Sequence, residues 1–296
     1  MDFLIRDMTK EDISRVGEIL YEAFKLNASK HGYTPQVQSE QEGRSWAWAM
    51  LRHGPSERLV AEVESRVVGI CCLNPRGDLG GAGPGAVDPC FQGKAIGWEL
   101  LHAILKRAES MHSVRAIQEA YNPVTFSYQY SFDFMPVETL LDLFLDRGVE
   151  QRIDLCSNVS ELTATDLDAI CMYNGPRSKL DRRADFVYYL NWGKVFVYRY
   201  QSQIGGFLAC LPGSRSVQLG PLLAEGEEEA VHLFRHALAI FGKRYCRARV
   251  MARDHFLVKT LKGLGFKLYC VDILMVRGAW RPSQYVEAFG IFPEGV

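Results

Sequence analysis

Apolar positions recur along the chain with two periods that alternate in a regular order. Ile13, Val16, Ile19, Leu20, Ala23 and Phe24 fall three and four apart, the spacing of one helix face. Thr9 and Asp12 precede them as a capping signature, and residues 3–7 read as a short strand. A second helix is expected over residues 36–52, stopped by Gly54-Pro55. Residues 59–63 and 67–73 are β-rich runs on either side of Glu64-Ser65-Arg66, which predicts a hairpin. A Gly-rich stretch, residues 77–85, leads to residues 87–97, V-D-P-C-F-Q-G-K-A-I-G. The helical period then returns in Ile96, Leu100, Leu101, Ile104, Leu105 and Ala108. Residues 114–120 predict another strand, Asn122-Pro123 opens a short helix through Tyr128, and apolar residues 135–145 return to the sheet.

Much of this order then repeats. Leu162-Thr163-Ala164-Thr165-Asp166-Leu167 echoes Met8-Thr9-Lys10-Glu11-Asp12-Ile13. Residues 195–211, with Ser202-Gln203-Ile204-Gly205-Gly206, echo the first hairpin at Ser65-Arg66-Val67-Val68-Gly69. Gly220-Pro221 stands where Asp88-Pro89 stood, and Ala230, Leu233, Phe234, Ala237, Leu238 and Phe241 form a helical stripe. Arg247-Ala248, Asp254 and Phe266 fall 132 positions after Arg115-Ala116, Asn122 and Phe134. The shared offset argues for two copies of one α/β unit, against a chance alternation of strands and helices. The copies are expected at residues 1–150 and 151–296, joined through the polar residues 148–157.

Residues 92–97 carry the most specific chemistry. They lie where a strand runs into a helix, so unpaired first-turn N–H groups and the positive end of the helix dipole face them. Gly93 and Gly97 leave the backbone open to a bulky anion. The physical reading is a pyrophosphate cradle; the plain alternative is an ordinary strand-to-helix turn that contains glycine. Asp88 and Ala95 stand where a P-loop needs Gly and Ser or Thr. Gly81, Gly83 and Gly85 lack the spacing of the dinucleotide fingerprint.

Composition narrows the classes. A chain of 296 residues can bury one large core or two ordinary ones, and 48% hydrophobic with 23% charged residues is a globular balance. A net charge of −1 gives no general attraction to nucleic acid or to an acidic membrane. There is no run of eighteen apolar residues to span a bilayer, and M-D-F-L-I-R-D does not read as a signal peptide. The eight cysteines form no C-x-x-C pair, and Cys71, Cys72, Cys171 and Cys210 lie in apolar runs, which predicts buried thiols in a reducing cytoplasm. The seven histidines show no ligand spacing, so no metal is expected.

The V-D-P strand end followed by Gln92-Gly93-Lys94-Ala95-Ile96-Gly97 resembles the acetyl-CoA loop of the Gcn5-related N-acetyltransferase (GNAT) superfamily, Gln/Arg-x-x-Gly-x-Gly/Ala, with Ala95 for a Gly. With the repeat, the chain is similar to tandem bacterial members over nearly its whole length. In the second half the likeness rests on Gly220-Pro221-Leu222-Leu223-Ala224, Leu264-Gly265-Phe266 and Met275-Val276-Arg277-Gly278. The resemblance implies an α/β mixed-sheet fold of two tandem GNAT-like domains, the second degenerate. It implies acetyl-CoA as co-substrate, no metal, and direct acetyl transfer to a primary amine of a small molecule or peptide.

On this resemblance, Ala86, Val87, Gln92, Gly93, Lys94, Ala95, Ile96, Gly97 and Asn122 would bind the co-substrate. The backbone of residues 85–87 would pair with the pantetheine arm as an added strand, and Pro84 marks either a bulge in that strand or its start. The tyrosine that protonates the leaving thiolate in many members would fall at Gln129; Tyr128 and Tyr130 flank it as candidate acids or as packing aromatics. Strand carboxylates at Glu62, Glu64 and Glu119 are the pool for a proton acceptor, Glu119 being the candidate, although each also reads as an outward-facing strand residue. In the second half the 132-residue offset sets Ala224-Glu225-Gly226-Glu227-Glu228-Glu229 over the loop and Leu261 at the tyrosine position, so no acetyl-CoA site is expected there. Three classes remain: an amine acetyltransferase, a non-catalytic acyl-CoA sensor, and a structural or interaction protein, which the intact loop disfavours.

Overall fold

A computed structural model describes residues 2–146, 153, 155–213 and 216–290. Residue contacts divide the chain into two units. The first comprises Met1–Met135 with Met275–Ala279.

The first unit begins with strand β1 (Leu4–Asp7) and a capping box in which the Thr9 N–H donates to Asp12 Oδ2 at 2.8 Å. Helix α1 (Ile13–Lys30) buries the expected stripe of Val16, Ile19 and Leu20. Helix α2 (Glu40–Arg52) starts later than residue 36, because the Ser39 hydroxyl accepts from the Glu42 N–H at 3.2 Å and caps it there. Strands β2 (Glu57–Val63) and β3 (Arg66–Arg76) form the hairpin. Glu64 and Ser65 between them both lie in the left-handed region, as a tight turn between right-twisted strands requires.

The Gly-rich stretch is itself a strand, β4 (Leu79–Val87). Its glycines permit close approach: a Cβ on Gly80 would stand 2.6 Å from Met111 Sδ. Helix α3 (Ile96–Arg107), strand β5 (Ser113–Glu119) and helix α4 (Pro123–Ser131) follow. The sheet runs β1-β2-β3-β4-β5, antiparallel except for the β4–β5 pair.

The second unit comprises Pro136–Leu274 and residues from Trp280 onward. Its elements are most of β6 (Met135–Leu145), β7 (Val159–Glu161), α5 (Leu167–Ser178), α6 (Arg183–Trp192), β8 (Lys194–Tyr200), β9 (Gln203–Pro212) and β10 (Ser216–Ala224). They continue with α7 (Glu227–Phe241), β11 (Tyr245–Met251), α8 (His255–Gly263), most of β12 (Lys267–Gly278) and β13 (Val286–Phe289). The α7 stripe of Ala230, Leu233, Phe234, Ala237 and Leu238 is the centre of its core. Asp142 on β6, Arg247 and Arg249 on β11 and Asp272 on β12 form a buried charge network. Arg247 donates to Asp142, and Arg249 Nε lies 2.7 Å from Asp272. Two guanidinium groups thus balance two carboxylates, and removing one member of such a network typically costs about 3–5 kcal/mol.

The halves 1–150 and 151–296 describe the order of elements, but the compact units group residues otherwise. Residues 140–145 of β6 hydrogen-bond to β11, from Leu140↔Met251 to Leu145↔Cys246, which ties the strand to the second unit. Most of the expected junction at 148–157 lies outside the described residues. Thr163 and Asp166 rebuild the capping box of Thr9 and Asp12. Gly220-Pro221 is the counterpart of Gly83-Pro84 and not of Asp88-Pro89: each dipeptide sits in the bulge of its own strand, β10 or β4. Among the described residues no helix is long and apolar enough to cross a membrane.

Candidate active site

Strands β4 and β5 pair only at Leu79↔Ser113, Gly80↔Val114 and Gly81↔Arg115. The register with β3 then shifts: Leu73 faces Ala82 and Cys71 faces Gly85, so Cys72 stands opposite both Gly83 and Pro84. Such a bulge bends the strand, and past it β4 follows β3 and leaves β5. The result is a wedge between the end of β4 and the end of β5. The Asp88 N–H donates to Val68 O at 2.9 Å. By the two-residue alternation Ala86 also turns its backbone to β3, whereas Gly85 and Val87 turn theirs to the wedge. Val87 O accepts from Gln92 Nε2 at 3.1 Å.

The loop at the wide end is anchored by Asp88. Its Oδ1 accepts from the Cys90 N–H at 2.9 Å, and Arg15 and Arg66 both donate to its Oδ2. Gln92, Gly93, Lys94 and Ala95 are exposed, and Lys94 Nζ lies 4.6 Å above the Phe91 ring. Gly93 and Ala95 are both left-handed, with φ of 75° and 63°. Ala95 is the N-cap of α3, so the alanine that replaces glycine adds backbone strain as well as a methyl group, about 1–2 kcal/mol. The N–H groups of Ile96, Gly97 and Trp98 open the helix above this loop.

Tyr128 stands against the same turn. A Cβ on Gly97 would lie 3.5 Å from Val87 Cγ2 and 3.8 Å from Tyr128 Cε2, and the Trp98 ring meets the Tyr128 ring edge-on at 6.2 Å. Tyr130 is 49% exposed and faces Phe126 at 6.5 Å. Gln129, between them, is buried. The helix extends to Ser131, beyond the expected end at Tyr128. Asn122 caps it, its Oδ1 accepting from the Thr125 N–H at 3.3 Å.

Glu119 ends β5 beside the wedge. Its carboxylate accepts from Gln36 Nε2 at 3.1 Å and Gln118 Nε2 at 3.2 Å. Tyr121, two residues on, stacks on Tyr33 with centroids 4.3 Å apart. Glu62 instead pairs with Arg6 at 2.7 Å, and Glu64 lies in the hairpin turn. Gln36, Tyr33 and Tyr121 carried no sequence signal, because they meet from an irregular segment and a strand end far apart in the chain.

The corresponding region of the second unit differs in three ways. Strand β10 ends at Ala224 and α7 begins at Glu227, so only Glu225 and Gly226 remain where the first unit has residues 88–95. The loop is thus shortened, and the fixed offset that set residues 224–229 over 92–97 does not hold there. The glutamates are engaged: Glu227 Oε2 accepts from the Leu257 N–H at 2.7 Å, Tyr200 donates to Glu229, and Arg177 Nε donates to Glu225 at 2.8 Å. Finally, β10 and β11 pair only from Ser216↔Tyr245 to Leu219↔Ala248, and β13 fills the space beyond. It pairs with β10 at Leu222↔Ala288, Leu223↔Glu287 and Ala224↔Val286, and with β11 at Arg249↔Phe289 and Val250↔Ala288. Leu261 is fully buried in the core. Burial pushes the Asp254 carboxyl up to about 7, against the backbone hydrogen bond it accepts from Glu287.

Known proteins share the two domains and their fold. A model of the acetyltransferase (GNAT) family matches residues 18–126, and a model of an acetyltransferase (GNAT) domain matches residues 181–290. A Pyrococcus horikoshii protein assigned to the acetyltransferases has a TM-score of 0.79 at 16% identity, with 97% of this chain and 94% of that chain covered. A tandem GNAT protein from the clavulanic acid biosynthesis pathway has a TM-score of 0.65 at 12% identity, with 95% and 100% covered. A Gcn5-related N-acetyltransferase from Sphaerobacter thermophilus has a TM-score of 0.59 at 14% identity, with 93% and 95% covered. At these identities the likeness is one of fold. No curated protein sequence matches the chain. The chain belongs to the GNAT acetyltransferase superfamily, carries two of its domains in tandem, and has the fold on which that family carries out acyl transfer.

Proposed function

We propose that the first unit binds acetyl-CoA in the β4–β5 wedge and transfers its acetyl group to a primary amine of a small-molecule or peptide acceptor. The observation that carries this reading is that the β4 edge at Gly85 and Val87, which β5 does not pair, leads to the exposed loop at the start of α3. The edge suits an extended amide-bearing arm, and the helix start suits a pyrophosphate. The residues fit the group: the loop is exposed, its helix N–H groups open onto it, and Gly97 puts no side chain between them and Tyr128.

When bound, acetyl-CoA supplies an activated acyl group. The acceptor amine must be neutral to attack, so Glu119, held in place by Gln36 and Gln118, takes its proton, directly or through a water. The amine nitrogen forms a bond to the acyl carbon and the carbon–sulfur bond breaks. Tyr128 gives a proton to the departing thiolate and recovers one from solvent. Asn122 sets the start of the helix that carries Tyr128. In the second unit β13 fills the equivalent slot and the loop is short, which supports one acyl-CoA site per chain. All eight cysteines are free thiols and five are buried, which suits a reducing cytoplasm.

The test is CoA release from acetyl-CoA with a panel of polyamines, amino sugars, amino acids and peptides. Amine-dependent release is expected. Binding of acetyl-CoA with no release for any amine would leave the sensor reading, and absence of binding would overturn the assignment.

A further inference from the structure

A buried line of polar side chains runs from the end of α2 to the bulge of β4. His53, Ser56 and Asn74 are each 3% exposed or less. Asn74 Nδ2 donates to Gly83 O at 3.2 Å, which turns its Oδ1 toward Ser56. The Ser56 hydroxyl donates to that oxygen. With this proton committed, the His53 Nδ1 that lies 2.7 Å from Ser56 Oγ must be the donor. The line therefore has one direction: His53 to Ser56, Ser56 to Asn74, Asn74 to the Gly83 carbonyl. Arg76 Nη1 donates to the Asn74 carbonyl at 3.3 Å, and Arg58 donates to the Met50 carbonyl at 2.8 Å and to that of Ser56.

The bulge explains why polar groups stand here in an otherwise apolar strand. Two residues of β4 face one of β3, so the ladder is interrupted at Gly83. A carbonyl left without a partner beside a core is costly. Asn74 lies opposite Gly81, and its side chain reaches diagonally to Gly83 in place of the missing backbone donor. Burying three polar side chains is unfavourable unless each is hydrogen-bonded, and each of these is. Their common endpoint is the place where β4 leaves β5.

We infer that His53, Ser56 and Asn74 are positioning residues that fix the course of β4 beyond its bulge, and so aim the Gly85 and Val87 edge at the acyl arm. The inference rests on the reading that the wedge takes acetyl-CoA. None of the three touches the reacting atoms. Asn74 is the decisive member, since it alone meets the strand that would hold the arm.

Four full-chain variants test this: Asn74→Leu, Asn74→Asp, Ser56→Ala and Ser56→Thr. Asn74→Leu cannot donate to Gly83 O, and Ser56→Ala releases the amide that does. Both are expected to lower kcat/KM for acetyl-CoA by about tenfold, with the acceptor KM unchanged. Asn74→Asp supplies a signature that general loosening would not. Its ionised carboxylate repels the Gly83 carbonyl, but the protonated form can donate to Gly83 O while accepting from Ser56. Its activity relative to wild type should therefore rise as the pH falls. Ser56→Thr should restore the Ser56→Ala loss. If wild type binds and turns over acetyl-CoA but folded variants keep its kinetics and pH profile, the inference is overturned. A fall in melting temperature alone, with both KM values unchanged, overturns it too. If wild type does not bind acetyl-CoA, the wedge reading falls first and takes this inference with it.

Discussion

Gly97 and Tyr128 share one patch of the first unit: the position of a Gly97 Cβ lies 3.8 Å from Tyr128 Cε2. The first turn of α3 and the ring on α4 therefore meet beside the loop that opens the helix. Tyr130 is two residues further along α4, about 200° around the helix axis.

The two tyrosines are therefore expected to behave differently. Tyr128→Phe should lower kcat by about 10²–10⁴-fold if its hydroxyl donates to the thiolate, and Tyr130→Phe should leave kcat unchanged. Steady-state CoA release at saturating acetyl-CoA reads this. A loss confined to Tyr130→Phe, or none in either variant, contradicts the assignment.

Ala95 supports a prediction of opposite sign. Its φ of 63° is the conformation that a Cβ disfavours. Ala95→Gly should raise the denaturation midpoint by the strain relieved less the added unfolded-state entropy, a net gain of up to about 1 kcal/mol. The urea midpoint is the measurement, and a lower midpoint contradicts a left-handed residue at this cap.

Asp254 makes stability depend on pH. Burial raises its carboxyl from 3.8 to about 7 in the folded chain. The folded state thus holds the proton more tightly than the unfolded state. The associated stability is full below about pH 4 and is lost as the pH rises toward 7. Asp254→Asn removes the ionisation and keeps an oxygen to accept from Glu287. Its melting temperature should exceed that of wild type by a margin that grows between pH 4 and 7 and then levels. A margin largest at low pH contradicts this.

The sequence made some of this legible and hid the rest for physical reasons. Helical stripes such as Val16, Ile19 and Leu20 or Leu233, Phe234 and Leu238 repeat often enough to be read, and the boxes at Thr9/Asp12 and Thr163/Asp166 mark the two beginnings. β4 was obscured because it needs glycine for close approach, which reads as loop. α5 contains Pro176 and buries polar Asn174, so it shows no clean apolar face. β13 is four residues long, too short to display a period, and nothing local shows that Val286–Phe289 belongs between β10 and β11. The offset of 132 holds for β5 and β11 and for α4 and α8. It fails earlier, because the loop before α7 is shorter than the one before α3. At the site, the loop and Asn122 could be read from their own residues. The contact of Tyr128 with Gly97 needed the register of α4, and the amides that hold Glu119 needed the fold.

The central claim is that one acyl-CoA site exists per chain and that it is the wedge of the first unit. Calorimetric titration of the full chain with acetyl-CoA, for wild type and Gly97→Glu, tests it most directly. The site at Gly97 has room for a Cβ at ordinary contact distance, so the variant should fold while placing bulk and negative charge at the loop. Wild type should show one site per chain, and Gly97→Glu should weaken it by more than tenfold, or more than about 1.4 kcal/mol. Two equivalent sites in wild type, or unchanged affinity in folded Gly97→Glu, would contradict the account.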